Sequence, residues 1–206
     1  MLDKNVPYFD VIMCLPDGEA LPPVPALPPG YAYKLFEPGD EEGWCGTETS
    51  VGEFDSDGQA MEYFRREFAP YPKELLRRMA FIADESGILI ANAAAWWRVD
   101  AERGAVPLLH WVAVRPSHQG KGLGRAVTCK ALSLFSGPSV KEKGDIWLMT
   151  QTPSHVAIDL YVSLGFRAHK TAVIAGHKNG FDGAAKVLRK VMRPKAYARM
   201  MLTALG

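Results

Sequence analysis

The sequence predicts an α/β (α+β) fold in which helices flank a mixed, mostly antiparallel central sheet. The first observation is the order of hydrophobic patterns: a strand, two helices, three strands, a helix, a strand, a helix and a strand. The second is the turn sequence Asp84-Glu85-Ser86-Gly87, which predicts a hairpin and so an antiparallel pair. The third is a glycine-rich loop that joins a strand to a helix. Together they indicate helices packed on a partly antiparallel sheet.

The predicted elements follow from local signals in chain order. Asp40, followed by Glu41 and Glu42, predicts a helix start, and Ser56 or Asp57 can cap the next helix. Thr152 before Pro153 predicts the N-cap of a later helix. A further helix should follow the glycine loop and end at Gly137-Pro138. Strands are predicted at 31–36, 79–83, 87–97, 108–114, 145–151 and 166–173.

The two ends of the chain differ from its centre. Six prolines lie between Leu15 and Gly30, and such density favours extended backbone. We therefore expect residues 1–30 to be an irregular, proline-rich N-terminal arm and residues 31–206 to form a single domain. Within that domain, residues 173–206 should be a helical tail, with helices over 181–191 and 195–205.

Composition excludes several classes of protein. The chain has 206 residues, of which 48% are hydrophobic and 23% charged, and its net charge is +1. These values are typical of a soluble globular protein and predict neither a nucleic-acid nor a membrane partner. Three widely spaced cysteines predict neither disulfides nor a metal site. No secretory signal is visible at the N-terminus, so we expect a cytoplasmic protein.

The glycine-rich loop predicts an anion site. Residues 108–114 are apolar, residues 119–124 read Gln-Gly-Lys-Gly-Leu-Gly, and a helical pattern follows. Loop amides and a helix N-terminus attract negative charge, and glycines let a phosphate approach the backbone. Gln119, Lys121 and Arg125 add donors and positive charge. The predicted ligand carries a diphosphate.

Two common glycine-loop patterns do not fit. A Walker A loop needs Ser or Thr after Gly-Lys, but Gly122 follows Lys121. A dinucleotide fingerprint, Gly-x-Gly-x-x-Gly, would need glycine at Arg125 or Val127. The pattern that fits is Gln-x-x-Gly-x-Gly, from Gln119 through Gly122 to Gly124, which resembles the acyl-CoA loop of the GNAT superfamily of N-acyltransferases.

A second motif strengthens this resemblance. Residues 157–166 read Ala-Ile-Asp-Leu-Tyr-Val-Ser-Leu-Gly-Phe, which is similar to the GNAT pattern Ala-x-x-Leu-Tyr-x-x-x-Gly-Phe. It lies one strand beyond the helix of the glycine loop, as in that family, and the resemblance spans about residues 31–172. It implies acetyl-CoA as co-substrate, and because the histidines show no metal-ligand spacing we expect no metal. The implied cofactor-binding residues are Val112, Ala113, Val114, Gln119, Gly120, Lys121, Gly122, Leu123, Gly124, Arg125 and Ser154.

The sequence departs from the family at two places. Ser154 stands where family members often carry an asparagine that contacts the cofactor. A hydroxyl can still make one such hydrogen bond. The family also has a final strand after its Gly-Phe strand, whereas this chain has a helical pattern there, which leaves the acceptor side undefined.

Two residues are candidates for proton transfer. Resemblance assigns Tyr161 as the general acid for the departing thiolate, and a phenol with a reference pKa near ~10 holds its proton at neutral pH. His110 shares a strand face with Val112 and Val114, and an imidazole with a reference pKa near ~6.5 suits a general base. A glutamate or a water chain is the alternative base, and both side chains can also be core residues.

The acceptor is defined less sharply than the cofactor. Glu53, near Glu48 and Asp55, can bind a cationic amine, and Trp97, with Trp96 and Trp111, can line an acceptor pocket. We predict acetylation of a small-molecule primary amine. The alternatives are a protein lysine or N-terminus, a non-catalytic acyl-CoA sensor, and an unrelated nucleotide-binding domain. The sequence leaves a homodimer open.

Overall fold

A computed structural model describes residues 2–136 and 144–206. Seven strands and seven helices follow one another along this part of the chain. The strands are β1 (Asp10–Leu15), β2 (Tyr31–Leu35), β3 (Met79–Asp84), β4 (Leu89–Asp100), β5 (Gly104–Val114), β6 (Ile146–Gln151) and β7 (Arg167–Ala168). The helices are α1 (Glu41–Val51), α2 (Asp57–Glu67), α3 (Pro72–Arg78), α4 (Leu123–Ser133), α5 (His155–Ser163), α6 (Phe181–Val191) and α7 (Pro194–Thr203).

The predicted fold class is confirmed. The strands form one sheet in the order β2-β3-β4-β5-β6-β1-β7. Antiparallel pairs join β2 to β3, β3 to β4, β1 to β6 and β1 to β7. The pair β5 and β6 is parallel, with Leu108 opposite Trp147. No described helix is long and apolar enough to cross a membrane.

The chain divides into two compact units. The first comprises Leu21–Trp96 and Leu109–Val140, and the second comprises Leu2–Ala20, Trp97–Leu108 and Lys141–Gly206. Strands β4 and β5 each contribute residues to both. In chain order, helices α1 to α3 lie between β2 and β3, β4 follows β3, and β5 leads into α4.

Side chains of the first unit pack tightly. The fully buried residues of this unit include Trp44 on α1, Phe81 on β3 and Leu123 on α4. Ser56 caps α2 by accepting a hydrogen bond from the Gln59 N–H at 3.3 Å, as the sequence predicts. The expected helix end at Gly137-Pro138 lies outside the described residues.

The second unit corrects the prediction for the N-terminus. Residues 1–30 were expected to be irregular, but Asp10–Leu15 forms β1, in which Val11 to Leu15 are buried. This strand pairs with β6 from Asp10 opposite Gln151 to Leu15 opposite Ile146. It also pairs with β7 through Met13 and Cys14. The strand next to β7 in the sheet is therefore β1, which comes from an N-terminal segment where no strand was expected.

Two further predictions in the second unit were wrong in detail. Thr152 does not cap a helix, because its hydroxyl accepts a hydrogen bond from the Phe9 N–H at 2.9 Å and donates to the Pro7 carbonyl. A short 3-10 turn at Thr152–Ser154 precedes α5 instead. The strand expected at 166–173 is only Arg167–Ala168. The predicted tail helices are present as α6 and α7.

Candidate functional site

The glycine loop of the first unit has an open outer face. After β5, a 3-10 turn at Pro116–His118 leads to Gly120 and Gly122, whose φ angles are 77° and 80°. This left-handed backbone favours glycine. A Cβ built at either position would meet no other atom within 4 Å. Gly122 is also the N-cap of α4, whose first N–H groups have no intrahelical acceptor. The loop therefore presents amide donors at a helix N-terminus, where an anion can approach.

The side chains of the glycine loop make different contacts. Gln119 donates from Nε2 to the Val114 carbonyl at 2.8 Å, so it fastens the loop to the end of β5. Lys121 donates from Nζ to the Tyr31 hydroxyl at 2.8 Å and lies 5.5 Å from the centre of that ring. The same hydroxyl lies 3.1 Å from His118 Nδ1. Arg125 is exposed on the first turn of α4. The contacts of Tyr31 and His118 with the loop have no signal in the sequence.

Strand β5 is irregular at the residue that precedes the predicted thioester-binding segment. Trp111 has a φ of 50°, which is rare for a bulky side chain and costs of the order of 1–3 kcal/mol. Val112 and Val114 are half-buried, and Ala113 is buried. Such irregularities persist only where the surroundings hold them, and they concentrate at functional sites.

Two buried polar side chains, those of Asn92 and Glu48, are linked by hydrogen bonds to the backbone of Trp111. Asn92, on β4, donates from Nδ2 to the Trp111 carbonyl at 2.8 Å and to Glu48 Oε1 at 2.6 Å. Asn92 and Glu48 are 0% and 1% exposed. Burial raises the pKa of the Glu48 carboxyl to about 8, against the lowering effect of the Asn92 hydrogen bond. Glu48 therefore holds a proton at neutral pH.

The sequence groups Glu48, Glu53 and Asp55 near the end of the first helix and in the loop after it, but the fold places them in different environments. Glu48 is buried on α1, whereas Glu53 and Asp55 are exposed in the loop that follows. The Glu53 N–H donates to the Glu48 carbonyl oxygen at 3.2 Å, so the loop folds back on the helix. The negative charge of Glu53 contributes to the raised pKa of Glu48.

The tryptophans also have separate places. Trp111 stacks on Phe54 with ring centres 5.3 Å apart, meets Tyr63 edge-on at 4.9 Å, and donates from Nε1 to the Tyr63 hydroxyl at 3.2 Å. All three side chains are half-buried. Trp96 is instead a core residue that packs edge-on against Phe68 at 4.9 Å. Trp97 is half-buried and belongs to the second unit.

His110 lies on β5 in the first unit and is half-buried. Its ring centre is 5.4 Å from the Trp111 ring and 6.3 Å from the Phe68 ring. The imidazole therefore lies at the edge of the aromatic group around Trp111. No three His, Cys, Asp or Glu side chains in the described ranges are grouped as a metal site requires.

The second unit carries the other predicted site residues. Tyr161 lies on α5, is 6% exposed, and has its ring centre 5.9 Å from the Phe166 ring. Gly165 ends this segment with a φ of 100°, as the motif predicts. Ser154 is half-buried at the N-cap of α5, where its side chain makes no capping hydrogen bond.

Cysteine chemistry has no support in either unit. All three cysteines are free and buried. Burial raises the pKa of the Cys14 thiol to about 12 and of the Cys45 thiol to about 11, and it also raises the pKa of Cys129. Because the thiolate is the nucleophile, these side chains are poor candidates for an acyl-enzyme intermediate.

Comparison with known proteins supports the motif-based resemblance. Residues 77–168, which include the glycine loop and the Tyr161 motif, match the sequence profile of a family described as "Acetyltransferase (GNAT) domain". This part of the chain therefore resembles a GNAT acetyltransferase domain. The fold of the chain is similar to that of a GCN5-related N-acetyltransferase from Sphaerobacter thermophilus, with a TM-score of 0.59 and 20% identity over 79% of this chain and 49% of that one.

Two curated relatives carry the same name. The chain is 28% identical over 165 residues to a mycothiol acetyltransferase from Thermobispora bispora, covering 70% of this chain and 49% of the relative. It is 29% identical over 180 residues to a mycothiol acetyltransferase from Arthrobacter sp. strain FB24, covering 82% and 52%. These alignments span about half the length of each relative.

Proposed function

We propose that this chain transfers an acetyl group from acetyl-CoA to a primary amine of a small molecule. The observation that carries the proposal is the open glycine loop at the N-terminus of α4, directly after a strand with an irregular residue at Trp111. The name of the relatives refers to mycothiol, a small molecule, and this favours a small acceptor over a protein lysine or N-terminus.

Backbone N–H groups are the main proposed ligands of acetyl-CoA. The N–H groups at Gly120 to Arg125 and the positive end of α4 suit the diphosphate, with Lys121 and Arg125 adding charge. Backbone N–H groups of Val112 to Val114 suit the thioester carbonyl, whose oxygen gains negative charge as the amine attacks. Leu123 contributes its N–H in the first turn of α4, and Ser154 a hydroxyl.

Acyl transfer then needs two proton movements. The amine nitrogen attacks the carbonyl carbon, a C–N bond forms and the C–S bond breaks. We assign His110 as the acceptor of the proton that the amine loses and Tyr161 as the donor to the CoA sulfur. Glu53 and Trp97 remain proposed acceptor-side residues, and Phe54, Tyr63 and Trp111 add a half-buried aromatic surface in the first unit.

A matched pair of glycine variants tests the loop. Gly122 and Gly87 have φ angles of 80° and 79°, and neither would bring a Cβ within 4 Å of another atom. Gly122→Ala and Gly87→Ala should therefore lose similar stability through backbone strain. Only Gly122→Ala places a methyl group in the path of the diphosphate. We expect its KM for acetyl-CoA to rise about tenfold or more, equivalent to about 1.4 kcal/mol.

The measurement is release of CoA thiol from acetyl-CoA with a panel of small amines, alongside thermal melting of each variant. Equal KM values for the two alanine variants would reject the loop as the diphosphate site. Acetyl-CoA binding by the wild-type protein without thiol release for any amine would favour the sensor. Transfer only to peptide amines would replace the small acceptor with a protein.

A further inference from the structure

Asn92 joins two groups that are distant in sequence. Its side-chain nitrogen donates to Glu48 Oε1 at 2.6 Å and to the Trp111 carbonyl at 2.8 Å. The amide NH2 has two hydrogens, and these two bonds use both. A rotation of the side chain would break at least one of them inside the core. Asn92 is thus fixed between α1 and β5 within the first unit.

Helix α1 is itself fastened beside this contact. Thr47, the residue before Glu48, shares its one hydroxyl proton between the Gly43 carbonyl of α1 at 2.9 Å and the Leu89 carbonyl on β4 at 3.2 Å. Arg115 donates from Nε to the same Thr47 oxygen at 3.3 Å. Thr47 is fully buried. These bonds hold α1 to β4 and to the end of β5, so the Glu48 carboxyl has a fixed position relative to Asn92.

The direction of one peptide group follows from these contacts. In a trans peptide, the carbonyl of one residue and the N–H of the next point to opposite sides. The described chain has no cis peptide bond. Because Asn92 holds the Trp111 carbonyl, the Val112 N–H must point away from Asn92. The positive φ of Trp111 is the backbone change that accompanies this orientation.

We propose that Asn92 and Glu48 are positioning residues for acyl transfer, which fix the Trp111–Val112 peptide so that the Val112 N–H faces the thioester oxygen. This inference rests on the proposed function, which assigns that N–H to the thioester. Neither side chain touches the reacting atoms. Each acts through the backbone, because a donor fixed before the reaction stabilises the developing negative charge without reorganising.

The protonated state of Glu48 suits this role. A buried carboxylate next to the peptide would oppose the negative charge that develops on the thioester oxygen. Burial raises the pKa of Glu48 to about 8, so the group accepts the Asn92 hydrogen bond while carrying its own proton at neutral pH. Glutamine reproduces this neutral acceptor with nearly the same shape, and leucine removes it.

Four variants separate positioning from general stability. Asn92→Ala and Glu48→Leu should lower kcat at least tenfold, with KM for acetyl-CoA changed by less than about twofold, because the diphosphate loop is untouched. Glu48→Gln should restore kcat to near the wild-type value at neutral pH. Ile82→Ala is the matched control: it opens a cavity at a fully buried residue of β3, so it should lower the melting temperature while kcat is retained.

A spectroscopic readout keeps the test independent of turnover. In the wild-type protein, the Val112 amide resonance should shift more with acetyl-CoA than with CoA, because only the thioester offers the carbonyl oxygen. Asn92→Ala should lose that difference. If Asn92→Ala fails to fold, the pair Glu48→Leu and Glu48→Gln gives the same comparison.

The outcomes distinguish this inference from the proposed function. Wild-type turnover with unchanged kcat in Asn92→Ala and Glu48→Leu would overturn the inference and leave the function standing. Acetyl-CoA binding without turnover would reject catalysis. A role in acyl transfer would fall with it, and the Val112 amide then tests only the orientation: a shift difference lost in Asn92→Ala supports an orienting role of Asn92 towards the bound thioester, and an equal or absent difference overturns it. A wild-type protein that does not bind acetyl-CoA would reject both.

Discussion

In the proposed mechanism, the Tyr161 hydroxyl donates the proton that the departing thiolate receives. Tyr161→Phe removes that hydroxyl and keeps the ring, which is 6% exposed and faces Phe166. A general acid contributes about 10²–10⁴-fold to a rate. We therefore expect kcat to fall at least a hundredfold while KM for acetyl-CoA stays within about twofold, as measured by thiol release with a reactive amine.

The control for this prediction is Tyr71→Phe, which removes a hydroxyl from a side chain that is 46% exposed. Its kcat should equal that of the wild-type protein. A Tyr161→Phe protein with wild-type kcat would remove Tyr161 from the mechanism and leave it as a core residue.

Burial separates residues that look alike in the sequence. Glu48, Glu53 and Asp55 read as one acidic group, but only Glu48 enters the core, where it bonds to Asn92. Trp96 and Trp111 read as equivalent aromatic residues, yet one fills the core and the other is half-buried. The sequence does not reveal these differences, because each depends on which remote side chain lies opposite.

At the scale of elements, a single carboxylate connects two loops of the second unit. Asp100 ends β4 and accepts hydrogen bonds from the N–H groups of Glu102 and Arg103 at 3.0 Å and from the Ala175 N–H at 2.8 Å. Ala175 has a φ of 48°, so this contact holds a strained residue. These backbone bonds, that to Ala175 first, lower the pKa of Asp100 to about 2.

This depressed pKa predicts how stability depends on pH. The folded state favours the ionised carboxylate, whose reference pKa is 3.8, so its stabilisation is complete well above pH 4 and is lost as pH falls towards 2. Asp100→Asn should unfold more easily than the wild-type protein at pH 7, and the difference should shrink towards pH 2. Urea unfolding at pH 7, 4 and 2.5 measures this change.

An exposed carboxylate provides the comparison for Asp100. Asp55→Asn alters a side chain in the loop before α2 and should leave the pH dependence of unfolding close to that of the wild-type protein. If Asp100→Asn and the wild-type protein lost stability in parallel between pH 7 and pH 2.5, the carboxylate would not be a stabilising anchor.

Element ends were predicted well where local chemistry decides them and poorly where remote contacts do. Ser56 caps α2 through a bond three residues away, which a sequence pattern can show. Thr152 was wrong as a cap because its hydroxyl bonds to Pro7 and Phe9. Strand β7 is short because His169 Nδ1 accepts hydrogen bonds from the N–H groups of Thr171 and Ala172, which turns the chain out of the sheet.

At the scale of the whole molecule, the position of β1 is the largest departure from the predicted organisation. Ile12, on this strand, is 1% exposed and belongs to a core cluster of the second unit with Cys14, Leu108, Trp147 and Ile174. Val24, in the proline-rich segment, is 38% exposed. Two residues of the expected arm thus have opposite environments.

A pair of alanine variants tests that difference. Ile12→Ala should lower the free energy of unfolding by about 2–5 kcal/mol through lost burial and a residual cavity. Val24→Ala should change it by less than about 0.5 kcal/mol. Urea unfolding followed by circular dichroism gives both values. Similarly small losses of unfolding free energy in both variants would indicate that residues 10–15 belong to a surface arm.

The sequence by itself predicted most strands and helices after residue 30, the glycine loop with its following helix, the Tyr161 motif and the resemblance to the GNAT superfamily. Each of these depends on residues that are neighbours along the chain, so spacing and residue type are enough to show them. Only the tertiary structure decided that β1 enters the sheet, that burial raises the pKa of the Glu48 carboxyl, and that Asn92 holds the Trp111 carbonyl. Those features depend on burial and on hydrogen bonds between segments 19 to 141 residues apart, such as Trp111 with Asn92 and Asp10 with Gln151. Such contacts exist only after the chain has folded, because local pattern carries no information about which distant group will satisfy a buried donor or acceptor.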